Sequence, residues 1–353
     1  MSRLSLVFLS REFDKPLFDT DNSGFANRYF AVILFQFHMI AMFRNEIYIP
    51  LILRTTVFLT GQGDSLEIMN KELKTRLGLK NVTSDMVRFY VNKSLYQLYT
   101  YRSGVDKVIC PVFACQRSGT SLMLRVFFWD KDTVVYREGS SLSSQDPLGL
   151  RLDPIEDVAK KIRENRAPLV VLKPIVDSQN ARQFLEAMPE AKSIWLYRNY
   201  RDVVSSNLRK FGERNGINDI RSIAQNDPNN WRSENVSDYT RSIVQTYFSE
   251  DMPPNDAAAL FWYVRNQLFF EQDLDGNSRV LLVRYSDFVT NPAETMPRIY
   301  KFLGRPYPGD HINREVHDLS VGKGKEVMLS IEIEDLCQSQ LERLEDAEAN
   351  PPV

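Results

Sequence analysis

The stretch that most restricts what this chain can become is residues 108–128, VICPVFACQRSGTSLMLRVFF. Residues 108–115 are an apolar run rich in β-branched and aromatic side chains, of the length of a buried strand. Residues 116–121 are short and polar and include Gly119. Leu122, Met123, Val126 and Phe127 then recur at the spacing of an amphipathic helix. The order is strand, tight polar loop, helix. A helix start carries backbone N–H groups without intrahelical partners and a partial positive charge. The Arg117 guanidinium, the hydroxyls of Ser118, Thr120 and Ser121, and a glycine that lets a ligand approach the backbone add to it. Such a loop suits a doubly charged oxyanion. The alternative is an ordinary strand-to-helix turn whose polar side chains only cap the helix.

The chain's 353 residues suffice for one large α/β domain, or a domain with an extension. A net charge of -2 supplies no field to recruit nucleic acid, so an anionic ligand must be held by local charges. Cys110, Cys115 and Cys337 form no disulfide framework, and the first two fall in the buried strand as core. His38, His311 and His317 share no metal-ligand spacing, and no metal is expected. Residues 1–105 read as a mostly helical extension of unassigned role. Its apolar runs at 31–43 and 47–60 are too short or interrupted to span a bilayer, for which roughly 20 apolar residues are needed. Helices are expected at 65–79 and 84–98, each opening on a capping serine, Ser65 and Ser84. The first 16 residues lack a secretory signal, so a cytoplasmic location is expected, any membrane contact being peripheral and through the N-terminal apolar stretch.

From residue 108 onward strand-like and helix-like pieces alternate. Strands are expected at 133–136, 168–172, 191–197 and 279–283, and helices at 154–165, 178–188 with Ser178 as cap, 202–211, 255–273, 292–303 and 330–344. Apolar strands alternating with helices imply an α/β fold whose parallel sheet is covered on both faces. Ligands of such sheets bind beyond the carboxyl ends of the strands. The residues there are Arg117 to Ser121, then Arg137 and Glu138, then Lys173, then Arg198 with Ser206 eight positions on, then Arg284 and Tyr285. Charged residues often flank strands and simply meet water, but here a cation follows every strand.

Three of these stretches carry a family resemblance. The loop from Gln116 to Ser121 resembles the 5′-phosphosulfate loop of the PAPS-dependent sulfotransferases, P-[RK]-S-G-T-[TS], with Gln116 where proline is usual. Residues 197–206, YRNYRDVVSS, resemble the family's 3′-phosphate motif, an arginine and a serine eight positions later, matched by Arg198 and Ser206. Residues 283–288, VRYSDF, with Asn291-Pro292 and Phe302-Leu303-Gly304, are similar to the R-Y-E-D-L…P…F-L-G ending. The resemblance implies a P-loop NTPase-like sulfotransferase domain over 106–346, followed by a short tail, 347–353. It implies 3′-phosphoadenosine-5′-phosphosulfate (PAPS) as co-substrate, released as adenosine 3′,5′-bisphosphate, with no metal required. The acceptor would bear a hydroxyl, on a carbohydrate, lipid, peptide or small molecule.

The resemblance also distributes roles. Arg117, Ser118, Gly119, Thr120 and Ser121 would hold the 5′ end of the donor, Arg198 and Ser206 the 3′-phosphate, with Arg284 and Tyr285 beside the nucleotide. The histidine base of the cytosolic branch has no counterpart in Leu172-Lys173-Pro174-Ile175-Val176. Glu138 matches instead the glutamate of the tyrosylprotein and carbohydrate branch and is the expected general base, with Lys173 against the transferring group. Lys323 and Lys325, in Val321-Gly322-Lys323-Gly324-Lys325, fall where the family keeps a basic loop over the nucleotide, though without its fuller R-K-G-x-x-G-x-W-K pattern. Trp231, Trp262 and Tyr263 could line an acceptor pocket or belong to the core. Two other readings compete. A small-molecule kinase shares the strand-loop-helix start but needs G-x-x-x-x-G-K-[ST] and a magnesium-holding aspartate. A nucleotide-binding relative without turnover would direct Glu138 and Lys173 away from the cleft of Arg117.

Overall fold

The computed structural model describes residues 83–102 and 106–352. The apolar runs at 31–43 and 47–60, His38 and the helix expected at 65–79 lie outside the described residues. In chain order the elements are α1 (Ser84–Thr100), β1 (Val108–Ala114), α2 (Thr120–Phe128), β2 (Thr133–Tyr136), α3 (Ile155–Glu164), β3 (Leu169–Leu172), α4 (Ala181–Ala187), β4 (Ser193–Tyr197), α5 (Tyr200–Phe211), α6 (Arg214–Ala224), α7 (Asp238–Tyr247), α8 (Pro254–Glu271), β5 (Val280–Arg284), α9 (Tyr285–Thr290), α10 (Pro292–Leu303) and α11 (Ile331–Ala349).

The five strands form one parallel sheet in the order β2-β3-β1-β4-β5. β1 is central, and Ile109 to Ala114 are all buried, as a strand covered on both faces requires. A proline suits a central strand only where a ladder stops, and Pro111, opposite Leu172, is the last residue paired with β3. The chain winds to one side of β1 through β2 and β3, then crosses to the other side through β4 and β5. The turns after β1 and β4 therefore border the crevice at the reversal, on the carboxyl edge. Among the described residues no helix is long and apolar enough to cross a membrane.

Several expected boundaries shift for physical reasons. The cap of α1 is Thr83, whose side chain accepts from the Met86 N–H at 3.3 Å, and not Ser84. Ser178 does not cap a helix. It lies in a 3₁₀ turn, Ile175–Asn180, buried, with its hydroxyl donating to Ala114 O (3.2 Å) and Ile175 O (2.8 Å). It thus ties the end of β1 to the segment after β3. α6 carries Gly216 in its interior, a residue that disfavours helix in isolation. A Cβ there would stand 2.6 Å from the Ala258 nitrogen, so α6 and α8 approach where only glycine fits. α8 is buried on every side from Asp256 to Phe270, the behaviour of a central core helix.

Candidate active site

The loop after β1 turns back on itself through two left-handed residues, Arg117 (φ 70°) and Gly119 (φ 101°). The glycine is required twice over. Its φ is one that side chains rarely adopt, and a Cβ would lie 2.2 Å from the ring of Tyr285. Gln116, in the place of the family's proline, donates from Nε2 to Asp219 Oδ2 at 3.1 Å. This hydrogen bond tethers the loop to α6. Ser118 is fully buried and its hydroxyl has no hydrogen-bond partner. A buried polar group left unpaired costs about 1–3 kcal/mol, a cost that a bound polar group reaching Ser118 would offset.

Arg117 and Arg198 meet. Arg117 Nε donates to Ser206 Oγ at 3.0 Å, while Arg198 Nη1 donates to the Arg117 carbonyl at 3.3 Å. Arg198 is buried, its Nη2 donates to Ser320 O, and its guanidinium stacks 4.4 Å from the Tyr285 ring centroid. The Tyr285 hydroxyl closes the group with a 2.6 Å hydrogen bond to Ser320 Oγ. Arg198 Nε is buried without a partner. Burial, then the nearby charges of Arg198 and Arg209, lower the pKa of Arg117. Cations gathered in this way, with orphan donors among them, have the chemistry to hold an anion. Beside it lies a cavity of about 280 Å³ lined by Arg198, Arg201, Asp202, Arg284, Tyr285 and Lys325, among others.

On the other flank of the same loop, Lys173 Nζ pairs with Glu138 Oε2 at 2.6 Å and donates to Ser121 Oγ at 3.2 Å. Both members of the pair stand at strand ends, Glu138 after β2 and Lys173 after β3, where the parallel register sets Tyr136 opposite Leu172. The backbone joins them too, the Lys173 N–H donating to Tyr136 O at 2.9 Å. Lys173 thus reaches the segment that follows Arg117, and Glu138 is linked to it through Lys173. The cavity at the pair is small, about 10 Å³, with Leu142, Leu150, Leu152 and Pro174 in its walls.

Residues 110–336, just under two thirds of the chain, match the family model described as the sulfotransferase domain. The chain belongs to the sulfotransferase family. It is similar in structure to the sulfotransferase domain of a Synechococcus olefin synthase (17% identity, 68% of this chain and 98% of that one, TM-score 0.41). It is also similar to the sulfotransferase domain of the curacin biosynthetic pathway (17%, 69% and 99%, TM-score 0.44) and to a sulfotransferase of Mycobacterium avium (12%, 78% and 96%, TM-score 0.40). No curated protein matches it in sequence. Membership rests on the match over 110–336.

The remaining sequence-selected residues of this sulfotransferase fall in several places. Arg284 lines the larger cavity but is ion-paired with Glu345 of α11. Lys325 lines the same cavity, whereas Lys323 is exposed and enters the network through its carbonyl, which accepts from Ser205 Oγ at 3.3 Å. Trp262 is fully buried and donates from Nε1 to the Arg198 carbonyl at 2.9 Å, so it supports the cradle from behind. Tyr263 is core. Trp231 has the guanidiniums of Arg232 and Arg265 at 4.5 and 5.2 Å from its ring centroid. Arg265, wholly buried with its pKa pushed down to about 10 by burial, donates to Gln179 Oε1 and Ile175 O. Sequence reasoning missed Asp202, Ser320 and the contact of Tyr285 with Gly119. Only Asp202 had a signal, an acid four residues after the cradle arginine.

Proposed function

We propose that this sulfotransferase moves the sulfuryl group of PAPS to an acceptor hydroxyl, with Glu138 as general base, in the manner of the glutamate-base branch, and that 106–346 is its catalytic domain. One observation carries the reading. Arg117, Arg198 and Ser206 meet on one flank of the loop whose other flank, at Ser121, meets Lys173 and Glu138. A nucleotide phosphorylated at both ends, with its reactive group at one of them, is a ligand of that form.

The fit is supported by what the residues lack. The buried Ser118 hydroxyl and the Arg198 Nε have no partner, and the loop at Gly119 has no room for a Cβ. In this reading Arg198 and Ser206 hold the 3′-phosphate through a charge-assisted contact and a hydroxyl. Arg117, Ser118 and the free N–H groups at the start of α2 hold the 5′ end. When bound, PAPS supplies the activated sulfuryl group. Lys173, held between Ser121 and Glu138, sets a positive charge where the departing nucleotide oxygen gains negative charge. Lys173 engages one carboxylate oxygen of Glu138, which leaves the other to take the acceptor's proton. The residues supply position and charge rather than a covalent intermediate, as in-line group transfer requires.

The test is to incubate the full chain with radiolabelled PAPS and pools of carbohydrate, lipid, peptide and small-molecule alcohols. Label is expected in an acceptor with wild type and not with Glu138→Gln. Full transfer by the variant removes Glu138 as base. Binding of the bisphosphate without transfer to any pool favours the non-catalytic relative.

A further inference from the structure

The network around Arg198 holds a residue whose presence is unexpected on electrostatic grounds. Asp202, buried in the first turn of α5, puts its Oδ2 3.5 Å from Arg198 Nη2. A carboxylate beside an arginine that is to receive a phosphate repels the ligand and competes for the cation.

Its two oxygens hold a loop in place. Asp202 Oδ2 accepts the Gly322 N–H at 3.0 Å and Oδ1 accepts the Gly324 N–H at 2.8 Å. The two oxygens hold two alternate backbone donors of one loop. Gly324 lies so close to α5 that a Cβ would stand 2.2 Å from the Arg201 carbonyl carbon. Ser205 adds a contact to Lys323 O. The loop so held carries Ser320, whose carbonyl takes Arg198 and whose hydroxyl takes Tyr285, and Lys325, which lines the larger cavity.

We propose that Asp202 is a positioning residue. It clamps residues 322–324 onto α5, and through them sets Ser320, Tyr285 and Lys325 around Arg198, building the pocket that distinguishes a 3′-phosphorylated nucleotide from one without that phosphate. The inference rests on the reading that Arg198 holds the 3′-phosphate. It makes a sign prediction. If Asp202 were only a counter-charge, its removal would tighten phosphate binding, because repulsion is lost. If it is a clamp, removal weakens binding.

The experiment compares adenosine 3′,5′-bisphosphate with adenosine 5′-phosphate by calorimetric titration of wild type, Asp202→Ala and Gly324→Ala. The second variant attacks the same contact from the loop side, and thermal melting of all three checks folding. For Asp202→Ala the bisphosphate affinity is expected to fall about tenfold, the size of a lost charge-assisted contact or two, with adenosine 5′-phosphate moving less than about twofold. Gly324→Ala should do the same, and the double variant should lose no more than the worse single one, since both break one clamp. In transfer assays the KM for donor should rise by more than kcat falls. Trypsin should cut after Lys323 or Lys325 faster in either variant without nucleotide. Tighter bisphosphate binding by Asp202→Ala, or fully additive losses, overturns the clamp. A wild type that binds both nucleotides equally overturns instead the assignment of the 3′-phosphate to Arg198.

Discussion

At Arg198, separate pieces of chain converge on one residue. The loop after β1, the start of α5, the first residue of α9 and the loop at 320–325 touch its guanidinium, and from behind α8 holds its carbonyl. A cavity of about 280 Å³ lies beside it. At the Glu138 end there is one ion pair with one serine, and about 10 Å³ of space, hardly more than a water needs. The segment over that end is laced down, with Gly139 N–H to Gly149 O at 2.6 Å and Leu150 N–H to Asp146 Oδ2 at 2.6 Å. In the proposed reading, donor recognition is shared among many preformed contacts, whereas transfer rests on very few groups at a site with little free space. Loss of a single group should therefore be graded at the first end and near total at the second.

The largest expected effect is at the sparse end. Glu138→Gln should lower the transfer rate by about 10²–10⁴, the range for losing a general base, with bisphosphate affinity changed less than about twofold. Transfer assays and titration read the two separately. At the crowded end, Arg198→Ala should weaken the bisphosphate by about 100-fold, within the roughly 2–5 kcal/mol for truncating a buried charge partner, and adenosine 5′-phosphate far less. Equal losses would remove the contrast between the nucleotide's two ends. Gly119→Ala forces a side chain into a left-handed backbone and against Tyr285, and should cost about 1–3 kcal/mol, seen as a lowered melting temperature. An unchanged melting point would mean the Tyr285 ring yields freely. The smallest effect is Ser206→Ala, which removes one hydroxyl from a site with several other donors and should weaken the bisphosphate by about 2–10-fold.

The legible parts of the molecule were those whose chemistry is local. The strand-loop-helix at 108–128 declares itself by periodicity, and the cations after each strand by position, because a parallel sheet brings all strand ends to one edge. β2 and α10 fall on the expected residues, Thr133–Tyr136 and Pro292–Leu303. What failed was set by tertiary contact. α6 hides behind Gly216, whose reason is the backbone of Ala258. α7, DYTRSIVQTY, is rich in β-branched and aromatic residues that weaken a helical reading. Trp262 and Tyr263 share an aromatic run, yet one supports Arg198 and the other fills the core. Asp202 was in view as part of a motif, but the two backbone N–H groups it accepts are 120 and 122 residues away.

The central claim is that Arg117 and Arg198 serve one bisphosphorylated nucleotide. The most direct measurement is titration of adenosine 3′,5′-bisphosphate into wild type, Arg117→Ala, Arg198→Ala and the double variant, with displacement of radiolabelled PAPS followed in parallel. The account predicts one bisphosphate per chain, full displacement of PAPS, and losses from both single variants that couple in the double one. Two bisphosphates bound independently, or a bisphosphate that leaves PAPS in place, would contradict it.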